Sequence, residues 1–346
     1  MSIKFWYGGV LVKILVTGGA GFIGSHTVNK LIQEGCQVIV VDNLSSGRRD
    51  NIHPDALLVE MDICNPALVD LFSDFHFDGV IHLAAQTMVP MSLKRPEFDC
   101  RVNVRGTVNV LESCRRAGVR RIIFSSSAAV YGNDSPLPIK EDTILAPTSF
   151  YGLSKQTAEN YISMYSRIFG IESVILRYAN VYGERQGENG EGGVVSIFAK
   201  RLASGDTLTV FGNGEQTRDF VYAGDVAIAN WLALITPNVQ GIFNVSTSVE
   251  TSINTLINTL FAVTGQKIGL SYKAPRTGDI YRSVLDNSLI QKKLGWRPSV
   301  SLEEGLVKTW NWINQVNKHG REIITTKKLV RESRLSEGVK SCISLG

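Results

Sequence analysis

No run of apolar residues in the 346-residue chain reaches the ~18 needed to cross a bilayer. Cysteine is scarce: Cys36, Cys64, Cys100, Cys114 and Cys342 make an odd number with no CxxC pair. That argues against a disulfide framework and against a zinc site, and it fits a reducing cytosol. Met1–Val12 holds one Lys, then Gly8 and Gly9, and has no long apolar run before a small-residue cleavage site, so no signal peptide is expected. The body of the chain also lacks a charge excess. The formal +4 sits entirely from Lys318 onward, where seven basic residues face three acidic ones, leaving 29 of each sign elsewhere. A body neutral in this way supplies no obvious basic face for nucleic acid, and the tail reads as a solvated end. What is present is an ordinary soluble composition, 44% hydrophobic and 8% aromatic, with enough apolar material for one large core or two moderate ones.

Apolar runs alternate with helical periodicity through the first half. Lys13–Thr17 (KILVT) is a continuous apolar run, followed at once by Gly18, Gly19, Gly21 and Gly24. Phe22–Glu34 then has apolar residues at helical spacing, and Gly35 closes it. Gln37–Val41 is a second buried strand ending at Asp42. Further strands are expected at Ala56–Val59, Gly79–Leu83, Arg121–Ser125 and Ser173–Leu176, with helices at Pro66–Phe75, Glu97–Ala117 and Tyr151–Phe169. Buried strands alternating with helices predict an α/β fold with a mostly parallel, doubly wound sheet. Beyond Tyr178 the rhythm breaks. Gly183–Gly193 is a polar, glycine-rich loop, a helix follows at Val194–Leu202, and an amphipathic helix at Leu302–Val316 ends the patterned chain. The second region is smaller and reads as a substrate module built onto the first.

Gly18-x-x-Gly21-x-x-Gly24 lies between a strand and a helix. Glycines let such a turn close tightly and let the backbone approach a pyrophosphate, while the helix N-terminus presents free N–H groups and positive potential. Asp42 ends the next strand. A carboxylate there accepts hydrogen bonds from ribose hydroxyls and repels a 2′-phosphate, which favours NAD over NADP. Arg48 and Arg49, a few residues on, could soften that choice, and Asp62 ends the third strand within expected reach of the adenine. No Gly-Lys-Ser/Thr follows the loop, so it is not a Walker A motif.

Tyr151 and Lys155 stand four residues apart at the start of a predicted helix, hence on one face. A phenol is too weak an acid to serve as a base at neutral pH, and a neighbouring ammonium lowers its pKa. Ser125-Ser126-Ser127 ends a strand of the same sheet, where side chains face the ligand crevice. Together these favour an acid–base site.

The glycine loop, Ser125–Ser127 and Tyr151-x-x-x-Lys155 resemble the extended short-chain dehydrogenase/reductase family. The likeness continues through His82–Gln86, Asn103, Arg177–Gly183, Arg218–Val221 and Leu294–Pro298. It points to the nucleotide-sugar epimerase branch, most closely the UDP-glucose 4-epimerases, and covers about Val12 to Val316. It implies a Rossmann domain at 12–180 with a return segment at 220–248. The substrate-binding region would be 181–219 and 249–317, with 1–11 and 318–346 outside the pattern; Val12 falls where the initiating Met usually sits. NAD would remain bound, lying also along Phe22, Ile23, Asn43, Ser46, Gly47, Ile63, Leu83, Ala84, Ala85, Asn103 and Tyr178. Tyr151 would take the proton of the sugar 4-hydroxyl as hydride leaves C4. The 4-keto sugar would turn over and take the hydride back on its other face. Ser127 would hold the 4-oxygen, and Lys155 the nicotinamide ribose. Asn180, Val195, Arg218, Arg276 and Asp279 match positions that grip the nucleotide diphosphate and the nucleoside, and small Ser283 matches the wall at the sugar 2-position, leaving room for an N-acetyl group.

Related dehydratases and decarboxylases carry an acid where this chain has Ala128 and Ala129, which favours epimerisation. A UDP-glucuronate 4-epimerase or another nucleotide-sugar-modifying enzyme is the alternative, and a non-catalytic NAD-binding protein is disfavoured by the presence of both Tyr151 and Lys155. Phe150 replaces a proline common before the tyrosine. The cysteine usage points to the cytoplasm, and the resemblance also implies a two-fold homodimer, paired through Glu97–Ala117 and Tyr151–Phe169.

Overall fold

The structure, a computed structural model, describes residues 12–187, 193–275 and 280–316. The predicted extensions, the middle of the glycine-rich loop, Arg276 and Asp279 lie outside the described residues.

Seven parallel strands form one sheet. In chain order the first six are β1 (Lys13–Thr17), β2 (Gln37–Asp42), β3 (Leu57–Glu60), β4 (Gly79–His82), β5 (Arg121–Ser127) and β6 (Glu172–Tyr178). They lie in the order 3-2-1-4-5-6, and Gly241–Val245 adds itself outside β6. This is the doubly wound dinucleotide-binding arrangement, in which the order reverses between β1 and β4. Because every strand runs the same way, all their carboxyl ends share one edge.

Both faces of the sheet are covered, which is why its strands read as continuous apolar runs rather than alternating ones. Ile14, Val16, Val38, Val40, Ile81, Ile123, Val174 and Leu176 point to one side, under the helices Phe22–Gln33, Ala223–Ile235 and Ser288–Leu294. Leu15, Ile39, Val41, Val80, Ile122, Phe124 and Ile175 point to the other, under Leu68–Phe75, Thr107–Ala117 and Phe150–Phe169. A separate apolar cluster joins Val194–Ser204, the strand Leu208–Phe211, Ile253–Thr264 and a helix over 302–316, and Leu270–Lys273 pairs with Leu208–Phe211 outside it.

The single helix expected at Glu97–Ala117 is interrupted. Pro96–Cys100 passes through a π-helical stretch, Arg101–Gly106, into Thr107–Ala117. Such wide turns cost regular hydrogen bonding and cluster at functional sites. Here the wide turn carries Asn103. Ser283–Leu285 has no strand of its own among the described residues and makes an isolated bridge between Leu285 and Ile139. Its neighbours Asp219 and Ser248 take up its backbone and leave no ladder to extend.

Candidate active site

The glycine loop grows directly out of β1. Gly18 adopts φ +72°, and a Cβ there would stand 2.7 Å from the Ala84 nitrogen. Only glycine allows this contact between the β1 and β4 ends. A Cβ on Gly24 would lie 2.0 Å from the Gly18 carbonyl, so that glycine seats the first helix on the loop. Gly21 between them would meet nothing closer than the Gly18 carbonyl at 3.2 Å, which leaves its outer side for a ligand to approach. Phe22 and Ile23 form the first turn of the helix behind it, and both are half-buried. Thr17 Oγ1 accepts from the Leu83 and Ala84 amides, both at 3.2 Å, and so fixes the backbone leading to Ala85 as the floor of the cleft.

Asp42 ends β2 and is 7% exposed. Its carboxylate accepts from the Ala20 amide at 3.0 Å and the Leu44 amide at 2.8 Å. Burial raises its pKa, and those two bonds oppose the rise. Gly47 packs on it: a Cβ there would meet Asp42 Oδ1 at 2.9 Å. Asn43 is exposed, Ser46 half-buried and Ile63 buried. Asp62 accepts from the Cys64 amide at 2.8 Å and pairs with Arg101 at 3.7 Å. Arg49 pairs with Glu60, and Arg48 pairs with Asp50 at 3.2 Å.

The residues expected to carry acid–base chemistry come from two neighbouring elements. Ser149 caps the helix Phe150–Phe169 by accepting from the Gly152 amide at 3.1 Å. A Cβ on Gly152 would lie 2.4 Å from the Ala129 carbonyl. The first turn of the helix, carrying Tyr151, is thereby laid against the backbone just past Ser127. The three serines divide their tasks. Ser125 offers its carbonyl to Lys155 Nζ at 2.8 Å, and Ser126 donates to Glu159 at 2.5 Å. Ser127 Oγ accepts from the Ala129 amide at 3.2 Å, which points its proton elsewhere. Lys155 is buried, and burial pulls its ammonium down to about 8, against the raising pull of Asp99 and Glu159.

Two of the residues expected along the cofactor have protein partners of their own. The Asn103 amide is fully engaged: its oxygen accepts from the Gln86 amide at 2.8 Å, and its nitrogen donates to Gln86 O, Asp99 and Ser154. It acts as a clamp between β4, the π turn and the catalytic helix. Tyr178 is 4% exposed and donates to Asn230 at 2.7 Å, so its hydroxyl belongs to the core. Of the residues expected on the sugar-nucleotide side, Asn180 is exposed beside Asp219, and Arg218 is half-buried on a short strand. Val195 is in the first turn of Val194–Ser204 with its side chain in the core, and Ser283 is 7% exposed. Sequence reasoning missed Gly152 and the buried Glu159–Arg177 pair, which meets at 2.6 Å. A glycine inside the first turn of a helix was the available sign of the first.

Fold and site together define a Rossmann-type dinucleotide-binding protein with a Tyr–Lys pair at the carboxyl edge of its sheet. Residues 14–246 match the model of the NAD dependent epimerase/dehydratase family. UDP-glucose 4-epimerase of Mycolicibacterium smegmatis is 41% identical over 86% of this chain and 97% of its own length. The crystal structure of Thermotoga maritima UDP-glucose 4-epimerase with UDP-glucose superposes with TM-score 0.85 at 43% identity, covering 88% of this chain and 99% of that one. UDP-N-acetylglucosamine 4-epimerase from Methanobrevibacter ruminantium, in complex with UDP-N-acetylmuramic acid, gives TM-score 0.84 at 34% identity, covering 88% and 99%. The chain belongs to the NAD dependent epimerase/dehydratase family, and the dinucleotide that its glycine loop and Asp42 fit is NAD.

Proposed function

We propose that the protein is an NAD-dependent UDP-hexose 4-epimerase interconverting UDP-glucose and UDP-galactose, with the N-acetylated pair as further substrates. The observation that carries this is Tyr151 and Lys155 on one helix, laid by Gly152 against the strand end that bears Ser127. Bound NAD supplies a hydride acceptor that returns the hydride within one turnover.

The chain's own residues handle the proton. Tyr151 takes it from the sugar 4-hydroxyl and later gives it back. Lys155, buried beside the Ser125 carbonyl, favours the phenolate by its charge. Ser127, with its oxygen already accepting from Ala129, donates to the sugar 4-oxygen. Asp42 takes the adenosine ribose hydroxyls. Asn180, Arg218 and the backbone at Val195, together with Arg276 and Asp279, hold the nucleotide diphosphate and the nucleoside, and the arginine fork suits phosphate oxygens. With Ala128 and Ala129 after Ser127, no side-chain acid from that turn serves a leaving hydroxyl, which supports epimerisation over dehydration.

In this reading 12–180 with 220–248 is the NAD-binding domain, and 181–219 with 249–317 grips the substrate. The addition of Gly241–Val245 to the sheet supports that division. The protein is a cytoplasmic homodimer, supported by its cysteine usage and by an apolar stripe on Phe150–Phe169. The test is incubation with a panel of UDP-sugars, no NAD added, with products identified by NMR. Conversion of UDP-glucose to UDP-galactose is expected, and Tyr151→Phe should lower it by ~10²–10⁴-fold. Selective turnover of UDP-glucuronate would favour the alternative substrate.

A further inference from the structure

Behind Lys155 lies a carboxylate that the proton chemistry does not use. Asp99, on Pro96–Cys100, is 1% exposed. Its Oδ1 accepts from Gln86 Nε2 at 2.7 Å and Asn103 Nδ2 at 3.2 Å. Its Oδ2 is buried without a hydrogen-bond partner. A buried carboxylate with one oxygen unpartnered is costly unless a positive charge offsets it.

Asn103 bonds both Asp99 Oδ1 and Ser154 Oγ, which sets Asp99 behind the turn that carries Lys155; the other titratable groups around that lysine are Glu159 from its own helix, His82 from β4, and Tyr151 one turn before it. Glu159 is already neutralised by the two-pronged Arg177 contact, Nε at 2.9 Å and Nη2 at 2.6 Å. His82 is held between Thr17 and Thr107 and is neutral, its pKa pushed down to about 3 by burial. Lys155 Nζ, besides its bond to the Ser125 carbonyl, lies 4.8 Å from the Phe124 ring centre. Asp99 is therefore the one facing negative charge, among the described residues, with no arginine cancelling it.

We propose that Asp99 is a positioning residue for the reaction, the counter-charge that keeps the Lys155 ammonium protonated in a pocket closed to water. Charges act over longer distances in such a pocket than in water, so contact is not required. Gln86 and Asn103 set where the carboxylate sits. Asn103 also donates to Ser154, the residue before Lys155, at 3.1 Å, so one clamp fixes both ends of the relationship. A second cation entering the cleft lowers the lysine's hold on its proton, and Asp99 offsets that.

The inference rests on Lys155 being the cation of the proposed reaction, and its test is separable from the identity of the sugar. Asp99→Asn keeps the shape and leaves an amide oxygen to accept from Gln86 and Asn103. In protein carrying isotopically labelled lysine, the NMR signal of Lys155, identified by its loss in Lys155→Met, titrates without substrate. The midpoint should fall by about one pH unit in Asp99→Asn, as expected when a nearby opposite charge is removed. The alkaline limb of kcat should move down with it, and Asp99→Glu should restore both. An unmoved midpoint in folded Asp99→Asn would overturn the proposal even if turnover were lost. Should Asp99→Asn not fold, Asp99→Ser is read by the same titration and the same criterion. A lowered midpoint in a protein that turns over no UDP-sugar would support Asp99 as counter-charge and overturn only the substrate reading.

Discussion

Gly152 and the carbonyl of Ala129 are in such close approach that a methyl group on the glycine would stand 2.4 Å from the oxygen. The helix bearing Tyr151 and the turn following Ser127 are therefore seated on each other through bare backbone. Gly152→Ala should push the first helical turn outward while leaving the rest of Phe150–Phe169 packed. A displacement of about 1 Å at a reacting group can cost ~10²-fold in rate. We expect kcat to fall by about that factor with NAD still co-purifying, measured by steady-state kinetics and by assay of the supernatant after denaturation.

The buried Lys155 should give the enzyme an alkaline limit. Its ammonium has a pKa of about 8, below the ordinary lysine value, because burial disfavours the charge. The working form is the protonated one, so kcat should decline as pH rises through about 8 and hold steady below it down to the next titration. A pH–rate profile checks this, and a flat profile to pH 10 would remove Lys155's charge from the mechanism.

Glu159 and Arg177 are 3% and 2% exposed and meet in a two-pronged contact. Arg177 also donates to the Tyr131 hydroxyl at 3.0 Å, which in turn donates to Asn244 at 2.7 Å, so the pair ties the catalytic helix, β6 and the sheet edge together. Removing one member strands the other as a buried charge, a loss of ~3–5 kcal/mol. Glu159→Leu should lower stability by about that amount in chemical denaturation, in the absence of any substrate.

How much of this was legible in the sequence depends on how each feature is encoded. Strands buried on both faces are continuous apolar runs, so β1, β2, β4 and β5 stand out, and the Gly18–Gly24 loop with Asp42 marks the cofactor cleft between them. The Tyr151–Lys155 spacing needs only helical periodicity. The π turn at Arg101–Gly106 was hidden because apolar spacing does not register one extra residue in a turn. The Asn103 amide closes on Gln86, a pairing between residues 17 apart that no local pattern reports. Ser283–Leu285 has the residue types of a strand, yet strand formation needs a partner ladder, and only Ile139 offers one bridge.

Phe150, Leu153, Tyr161, Met164 and Ile168 are 43–59% exposed and follow one face of their helix. Leu93, on the short helix Val89–Lys94, adds to the exposed apolar surface. By contrast Thr107–Ala117 turns Glu112, Arg115 and Arg116 outward, so the stripe on Phe150–Phe169 is the better-formed half of the expected dimer contact. Light scattering should give about twice the 38.0 kDa of the chain, and Ile168→Glu should halve it.

Ser283 is buried at 7% exposure while its neighbours Tyr281 and Arg282 point outward, Arg282 onto Glu250 at 2.6 Å. Its side chain is therefore turned into the protein, where bulk would be felt. UDP-N-acetylglucosamine should be epimerised along with UDP-glucose. Ser283→Tyr should abolish the acetylated reaction and spare the other, read by NMR of the products. If the variant treats both sugars as the wild type does, the wall lies elsewhere.

The last strand of the sheet has a consequence for how the chain is made. Gly241–Val245 completes the sheet against β6 only after more than sixty further residues have followed Tyr178 out of the ribosome. Until then β6 is a long, apolar, unpaired edge, the kind of edge that recruits other chains. Nascent chains stalled between Tyr178 and Gly241 should be the stage at which this protein depends most on chaperones.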